Sequence, residues 1–165
     1  MSFTPRLTAP SQDNPYYYSN LNRYYANGMG MPNCTAYSYG RAYELLESEP
    51  TLYYGNAENW YPGTTTYPKG SEPALGAIMC WGEGSSGNGH TANVEEIIGN
   101  GIVLVSESAY NQWVFRTHTY TYPYNFGLYI FQGFIYILGD VPSGGNSRSR
   151  FNFLLFNRRK RLYGQ

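Results

Sequence analysis

A change of period along the chain limits what it can fold into. Between residues 34 and 46 apolar side chains recur at helical spacing, with Ala36, Tyr39, Tyr43 and Leu46 on one face. From residue 75 the pattern becomes strand-like. Leu75–Trp81, His90–Ile98, Ile102–Ser108, Trp113–Thr117 and Leu128–Leu138 are short runs rich in Ile, Val, Tyr and Phe. Gly99-Asn100-Gly101, between two of these runs, is a hairpin signal. A helix followed by antiparallel strands predicts an α+β fold. Asn33 stands at the expected N-cap, Cys34 in the first turn, and Pro50 just past the predicted end. Residues 1–33, dominated by Pro, Asn, Gly and Tyr, read as irregular. GNAENW at 55–60 predicts a short helical piece that Pro62-Gly63 should stop.

A chain of 165 residues can bury one core. Its 19 tyrosines suit either a wet groove for a sugar or peptide polymer or a Tyr-rich β surface. The zero net charge conceals a split. Arg148, Arg150, Arg158, Arg159, Lys160 and Arg161 crowd the last residues, so an acidic body carries a cationic tail. That tail also holds Phe151, Phe153, Leu154, Leu155 and Phe156. It reads as a ligand for anionic wall polymers or a membrane surface, or as a solvated end. The acidic body, with no basic motif interleaved with aromatics, argues against nucleic acid as a partner. No apolar stretch is long enough to span a membrane, and MSFTPRLTAPSQDNPYYY lacks an apolar signal-peptide core. Cys34 and Cys80 are too few for a disulfide scaffold.

Cys34 is the leading candidate for chemistry. A thiol attacks as thiolate, and the first turn of a helix offers unpaired N–H groups and the positive end of the dipole. Its bland alternative is a buried structural thiol. His90 follows the glycines of Gly87-Asn88-Gly89 at a loop–strand boundary, where an imidazole can project into a cleft and exchange a proton. The alternative is an ordinary exposed histidine. His118, in Arg116-Thr117-His118-Thr119, reads as solvent-exposed. A Cys–His pair needs a third group to orient the ring. Glu107, at the end of the next predicted strand, is one candidate. Simple pairing about the glycine turn places His90 opposite residue 110, which makes Asn111 a rival unless a bulge shifts the register. Cys80 reads as a core thiol. A zinc site from Cys34, Cys80, His90 and His118 lacks any CxxC or HxxxH spacing, and no metal or cofactor is expected.

In order along the chain, these segments resemble the CHAP family, the cysteine- and histidine-dependent amidohydrolases/peptidases. Pro32-Asn33-Cys34-Thr35-Ala36-Tyr37 with Gly40-Arg41-Ala42 resembles the nucleophile helix, and Gly55–Trp60 the short helix after it. Pro73–Trp81 resembles the strand leading to the active-site loop, and Gly89-His90-Thr91-Ala92-Asn93-Val94-Glu95 the histidine strand. Val105-Ser106-Glu107-Ser108 resembles the strand of the third catalytic residue, and Gln132–Tyr136 the closing strand. The resemblance implies a papain-like α+β fold, with N-terminal helices on a five- to six-stranded antiparallel sheet. It also implies cleavage of peptidoglycan amides, either at N-acetylmuramoyl-L-alanine or within peptide. On this reading Cys34 is nucleophile, His90 base and Glu107 orienter. The Cys34 N–H and the Asn33 side chain meet the oxyanion, and Trp81 and Trp60 either wall the groove or pack in the core. The alternative function is an inactive wall-binding or virion module of the same fold. Many members place Asn two residues after the Glu, where this chain has Ala109. Asp13 and Asp140 lie too far apart in sequence for the calcium site of some members. The division expected is an irregular segment at 1–27, a catalytic domain at 28–139, and a linker with basic tail at 140–165. The likeness is nearest to bacteriophage endolysins or tail-associated hydrolases. Such a protein is made in the host cytoplasm and reaches the wall after holin-type release or as a virion component.

Overall fold

The computed structural model describes residues 3–84 and 88–143; the hydrophobic and basic residues of the tail lie outside the described residues. Four helices and a 3₁₀ turn precede the main sheet. They are α1 (Pro15–Tyr18), α2 (Arg23–Ala26), α3 (Cys34–Leu46), the turn Ala57–Asn59 and α4 (Trp60–Gly63). The strands are β1 (Lys69–Gly70), β2 (Ile78–Gly82), β3 (His90–Gly99), β4 (Ile102–Glu107), β5 (Arg116–Thr121) and β6 (Ile130–Ile135). They form one antiparallel sheet in the order β1-β6-β2-β3-β4-β5. Among the described residues no helix is long and apolar enough to cross a membrane.

The sheet is covered on both faces. On one, Ile78, Cys80, Ile135 and Ile137 pack against Ala36, Tyr39 and Ala42 of α3 and against Trp60. On the other, Met79, Trp81, Ala92, Val94, Val103, Val105 and Phe134 are closed over by aromatic residues of the β5–β6 segment, among them Tyr124, Phe126 and Phe131. Helix α3 is also covered on its outer side. Tyr17 of α1 packs on Tyr37, and a Cβ at Gly40 would stand 2.6 Å from the Tyr17 ring, so α1 comes this close only over a glycine.

Three segments differ from the sequence reading. Two four-residue helices interrupt the stretch read as irregular. Asn14 and Asn22 cap them, their side chains accepting from Tyr16 N–H and from Tyr24 and Tyr25 N–H. Helices this short leave no periodic signature. The strand expected at Trp113–Thr117 lies at Arg116–Thr121 instead, because an edge strand with only Tyr120 buried carries little hydrophobic alternation. The helical piece after Asn56 runs through Pro62 to Gly63, rather than stopping ahead of them.

The β3–β4 register also departs from a simple hairpin. From Gly99 back to Asn93 β3 advances six residues, while β4 advances four between their partners Ile102 and Ser106. The two irregularities fall between Val94 and Glu96 and between Ile97 and Gly99. Continued to the strand end, this register sets Ala92, not Asn93, across from Glu107. His90 and Glu107 therefore share a face as diagonal neighbours. The expected pairing of His90 with residue 110 fails because the bulges absorb the extra residues.

The first bulge also carries the anchor between helix and sheet. Glu95, 2% exposed, takes a two-pronged grip from Arg41 of α3, with Nε to Oε1 at 3.0 Å and Nη2 to Oε2 at 2.8 Å. Ser106 Oγ and the Arg6 N–H donate to the same carboxylate at 2.6 and 2.8 Å. Arg41 also binds Glu44 and the Thr4 carbonyl, which ties the N-terminal residues to the domain. Replacing Arg41 with Met should leave Glu95 buried without its cation and cost about 3–5 kcal/mol of stability. Urea unfolding measures this, and a loss under about 1 kcal/mol would show the pair to be dispensable.

Candidate active site

Cys34 is the first residue of α3, and its position follows from the cap before it. Asn33 has extended backbone geometry, and its Oδ1 accepts from the Thr35 N–H at 3.1 Å and the Thr35 hydroxyl at 2.9 Å. Its Nδ2 donates to the Met29 carbonyl at 2.9 Å, and its N–H donates to Ser108 Oγ at 3.1 Å. Ser108 follows β4 directly, so the helix start is tied to the strand that ends in Glu107. The Asn33 Oδ1 is occupied in capping, and its Nδ2, which bonds Met29 through one of its two N–H groups, lines the cleft beside Cys34. The helix-start N–H of Cys34 is left as the backbone donor on this wall.

His90 opens β3 opposite Trp81. Its Nε2 lies 2.6 Å from Glu107 Oε2, which leaves Nδ1 as the ring nitrogen that can serve Cys34 on the floor of the same cleft. Gly89 lets the strand enter here. It has φ +68°, and a Cβ on it would collide with the Glu58 N–H and the Trp81 carbonyl. Cys34 and His90 are each 8% exposed, at the floor of a cleft of about 610 Å³ also lined by Tyr24, Tyr54, Tyr110 and Tyr129.

The electrostatics favour an ion pair. Burial alone would push the Cys34 thiol up. The hydrogen bond and charge of His90, with Thr91 adding to them, outweigh burial and hold Cys34 below the ordinary thiol value. Burial would lower His90, but its bonds to Cys34 and Glu107 raise it to about 9. Burial opposes the charge on Glu107 too, yet His90 and Arg116 hold its carboxyl below the usual range. Cys80 is the contrast: burial in the core, with the Cys34 charge adding to it, outweighs the pull of Lys69 and pushes its thiol far up.

Two residues that sequence reasoning missed complete this arrangement. Glu107 has no exposed surface, and its Oε1 accepts from Arg116 Nε at 2.7 Å. The Tyr120 hydroxyl reaches Oε2 at 3.2 Å. Both come from β5, where Arg116 pairs directly with Glu107, and Trp113 packs on the guanidinium at 4.2 Å. The available signal was the alternation Arg116-x-His118-x-Tyr120, which places all three on one face of the strand.

Other expected members stand elsewhere. Asn111 is exposed in the loop after β4 with φ +53°, its N–H donating to the Pro32 carbonyl at 3.3 Å, and it does not line the cleft. It was favoured by the unbulged register, which the strand does not keep. Trp81 and Trp60 have no exposed surface and are core rather than groove wall. Trp81 lies beneath the imidazole at 5.6 Å between ring centroids and donates to the Tyr124 carbonyl, whereas Trp60 donates to Tyr24 Oη. His118 is exposed on β5 against Tyr120, away from Cys34.

Two labelling outcomes follow from this geometry. Iodoacetamide at about pH 6 should alkylate Cys34 and leave Cys80 unmodified, because only an activated thiol reacts quickly there. Mass spectrometry of the digested protein reads both sites, and equal labelling would contradict the ion pair. Arg116→Gln removes a group that keeps Glu107 ionised, so Glu107 protonates at higher pH. The Cys34 labelling rate should then fall away at a higher pH than in the wild type, and an unmoved profile would take Arg116 out of the site.

Among known proteins, residues 24–109 match the CHAP domain family. A Streptococcus mutans serotype c protein described as a hydrolase is 38% identical over 79 residues, covering 46% of this chain and 36% of that protein. The chain thus spans about a third of that relative's length. The structure of an N-acetylmuramoyl-L-alanine amidase from Staphylococcus aureus aligns with a TM-score of 0.47 at 24% identity, over 64% of this chain and 32% of that one. The family match covers more than half of the sequence and includes Cys34, His90 and Glu107, and on that ground the chain belongs to the CHAP domain family.

Proposed function

We propose that this protein is a peptidoglycan hydrolase that cleaves an amide bond through the Cys34 thiolate. The observation that carries the reading is that Cys34 and an imidazole held by Glu107 converge on the floor of one open cleft. In the proposed reaction the sulfur attacks the amide carbonyl, and the developing oxyanion is met by the helix-start N–H of Cys34. The C–N bond breaks as the His90 imidazolium gives its proton to the leaving amine, which leaves a thioester. The now neutral imidazole takes a proton from water. Hydroxide adds to the thioester carbonyl, and the acid departs as sulfur and imidazole regain their ion pair. Glu107 stays ionised throughout and holds the ring.

The family match supports the class of reaction. The bond cut, either the amide to muramic acid or one within peptide, belongs to the proposal. So does action at the wall as a phage lysin or tail-associated hydrolase, which follows the resemblance alone. The catalytic domain is taken as residues 28–139.

Cys34→Ala should lower the clearing of purified cell walls by about a thousandfold or more. Wild-type clearing by a folded Cys34→Ala protein would refute the mechanism. The pH profile follows from the raised imidazole and lowered thiol. Activity should fall on the alkaline side near pH 9 as His90 loses the proton it must donate. On the acid side it should fall only below the ordinary thiol range, where the thiolate is protonated. Turbidity assays across the pH range check both limbs, and an alkaline limb near 6.5 would indicate an uncoupled histidine.

A further inference from the structure

Helix α3 and strand β3 pack side by side, and between them runs a line of buried polar side chains. Residues directly opposite on antiparallel strands share a face. Thr91 pairs with Cys80 and Asn93 with Ile78, and both Cys80 and Ile78 pack towards α3. Thr91 and Asn93 therefore point at the helix, as Glu95 does through its bond to Arg41. On α3, Cys34, Ser38 and Arg41 stand at i, i+4 and i+7 and share one face. Thr91 acts on Cys34 at one end of the line, and Arg41 grips Glu95 at the other. About 10 Å of helix thus runs against about 13 Å of strand, which sets Ser38 across from Asn93.

The Arg41 end of the line is bonded throughout, and the rest is not. Ser38, Thr91 and Asn93 have no exposed surface. Ser38 Oγ, Thr91 Oγ1, and Asn93 Oδ1 and Nδ2 find no hydrogen-bond partner in the protein. A buried polar group left unpaired costs about 1–3 kcal/mol. The common remedy is an ordered internal water bonded to several such groups. Two hydroxyls and a carboxamide supply both the donors and the acceptors that such a water takes.

Resting on Cys34 as the reactive sulfur of the hydrolase reading, we propose that an ordered water sits between Ser38 and Asn93 and orients the Thr91 hydroxyl as a donor to that sulfur. A hydroxyl has one hydrogen to give. When Thr91 Oγ1 accepts from the water, its own hydrogen is free for Cys34. Asn93 is then a positioning residue that acts through the water and Thr91. Thr91 already favours the thiolate against the burial of Cys34. The other groups facing Cys34 are His90 on β3, Cys80 on β2, Tyr24 on α2, and Tyr129 in the cleft that Glu83 also lines. The variants below leave all of them in place.

Two measurements test this. A high-resolution crystal structure should show a water within about 2.7–3.2 Å of Ser38 Oγ and of an Asn93 side-chain atom. Iodoacetamide labelling of Cys34 across the pH range reads the effect on the sulfur. At about pH 6, Thr91→Val should slow labelling about tenfold, and Asn93→Leu about three- to tenfold. Both rates should rejoin the wild type at alkaline pH, where the thiol ionises unaided, whereas structural damage alone would move the rate at every pH. Thr91→Ser should keep the wild-type profile. Ser38→Ala removes a partner of the water without touching the strand, and should shift the profile in the same direction as Asn93→Leu. The Thr91→Val/Asn93→Leu double variant should be no slower than Thr91→Val, because the two act in series. A dry contact between α3 and β3, unmoved profiles in Asn93→Leu and Ser38→Ala, or additive losses would overturn the proposal. Wild-type Cys34 labelled no faster than Cys80 would overturn it together with the hydrolase reading. Fast wild-type labelling with unmoved variants would remove the positioning role alone.

Discussion

The site depends on a carboxylate that has no contact with solvent. An ionised Glu107 in that position is tolerable only because each of its oxygens is matched: His90 and Tyr120 on one side, Arg116 on the other. Against the burial of the ring, the Cys34 sulfur and the charge that Glu107 keeps together lift His90 to about 9, and the imidazolium lowers the Cys34 thiol against its own burial. The active sulfur is thus the last member of a chain of compensations that starts on the edge strand β5. Removing any earlier member leaves a buried charge without its partner, and the effect passes along to the nucleophile.

The nucleophile's wall is built differently, from backbone. Asn33 spends its side chain on closing the helix start and on holding the Met29 loop, and its N–H on Ser108. This fixes the first turn of α3 rigidly beside the end of β4. A thiolate at that point gains from the helix dipole as well as from the imidazole, and both gains grow as the aromatic floor of Trp81 and Phe126 keeps water from beneath the ring.

Much of this was legible in the sequence. The helix at 34–46 and its Asn33 cap were readable because capping and helical spacing are local. The β3–β4 hairpin was readable from its glycine turn. The β3–β4 register was not, because a bulge leaves no mark in periodicity when Glu95, Glu96 and Ile97 can each face either way. That single ambiguity made Asn111 as plausible as Glu107. Arg116 and Tyr120 were hidden for another reason. They act through a cross-strand pairing, lie beyond the family match at residue 109, and sit in a strand whose exposed polar residues gave no buried stripe. Trp81 was left undecided between groove and core because aromatic content signals both equally well.

The two buried carboxylates explain each other's position. Glu95 sits at the bulge, and its grip on Arg41 holds α3 against one face of the sheet. Cys34 lies two turns up that helix from Arg41. That bulge and the one between Ile97 and Gly99 together shorten the offset between His90 and Glu107 on the opposite face. The first irregularity thus seats the helix bearing the sulfur on the sheet, and the two together decide whether the imidazole reaches its carboxylate. A regular strand would keep the hydrophobic pattern and the fold, yet Glu107 would sit too far along β4, or on the wrong face, to hold the ring. The catalytic alignment is a property of the register rather than of the residue types alone, and Glu95 is where that register is locked.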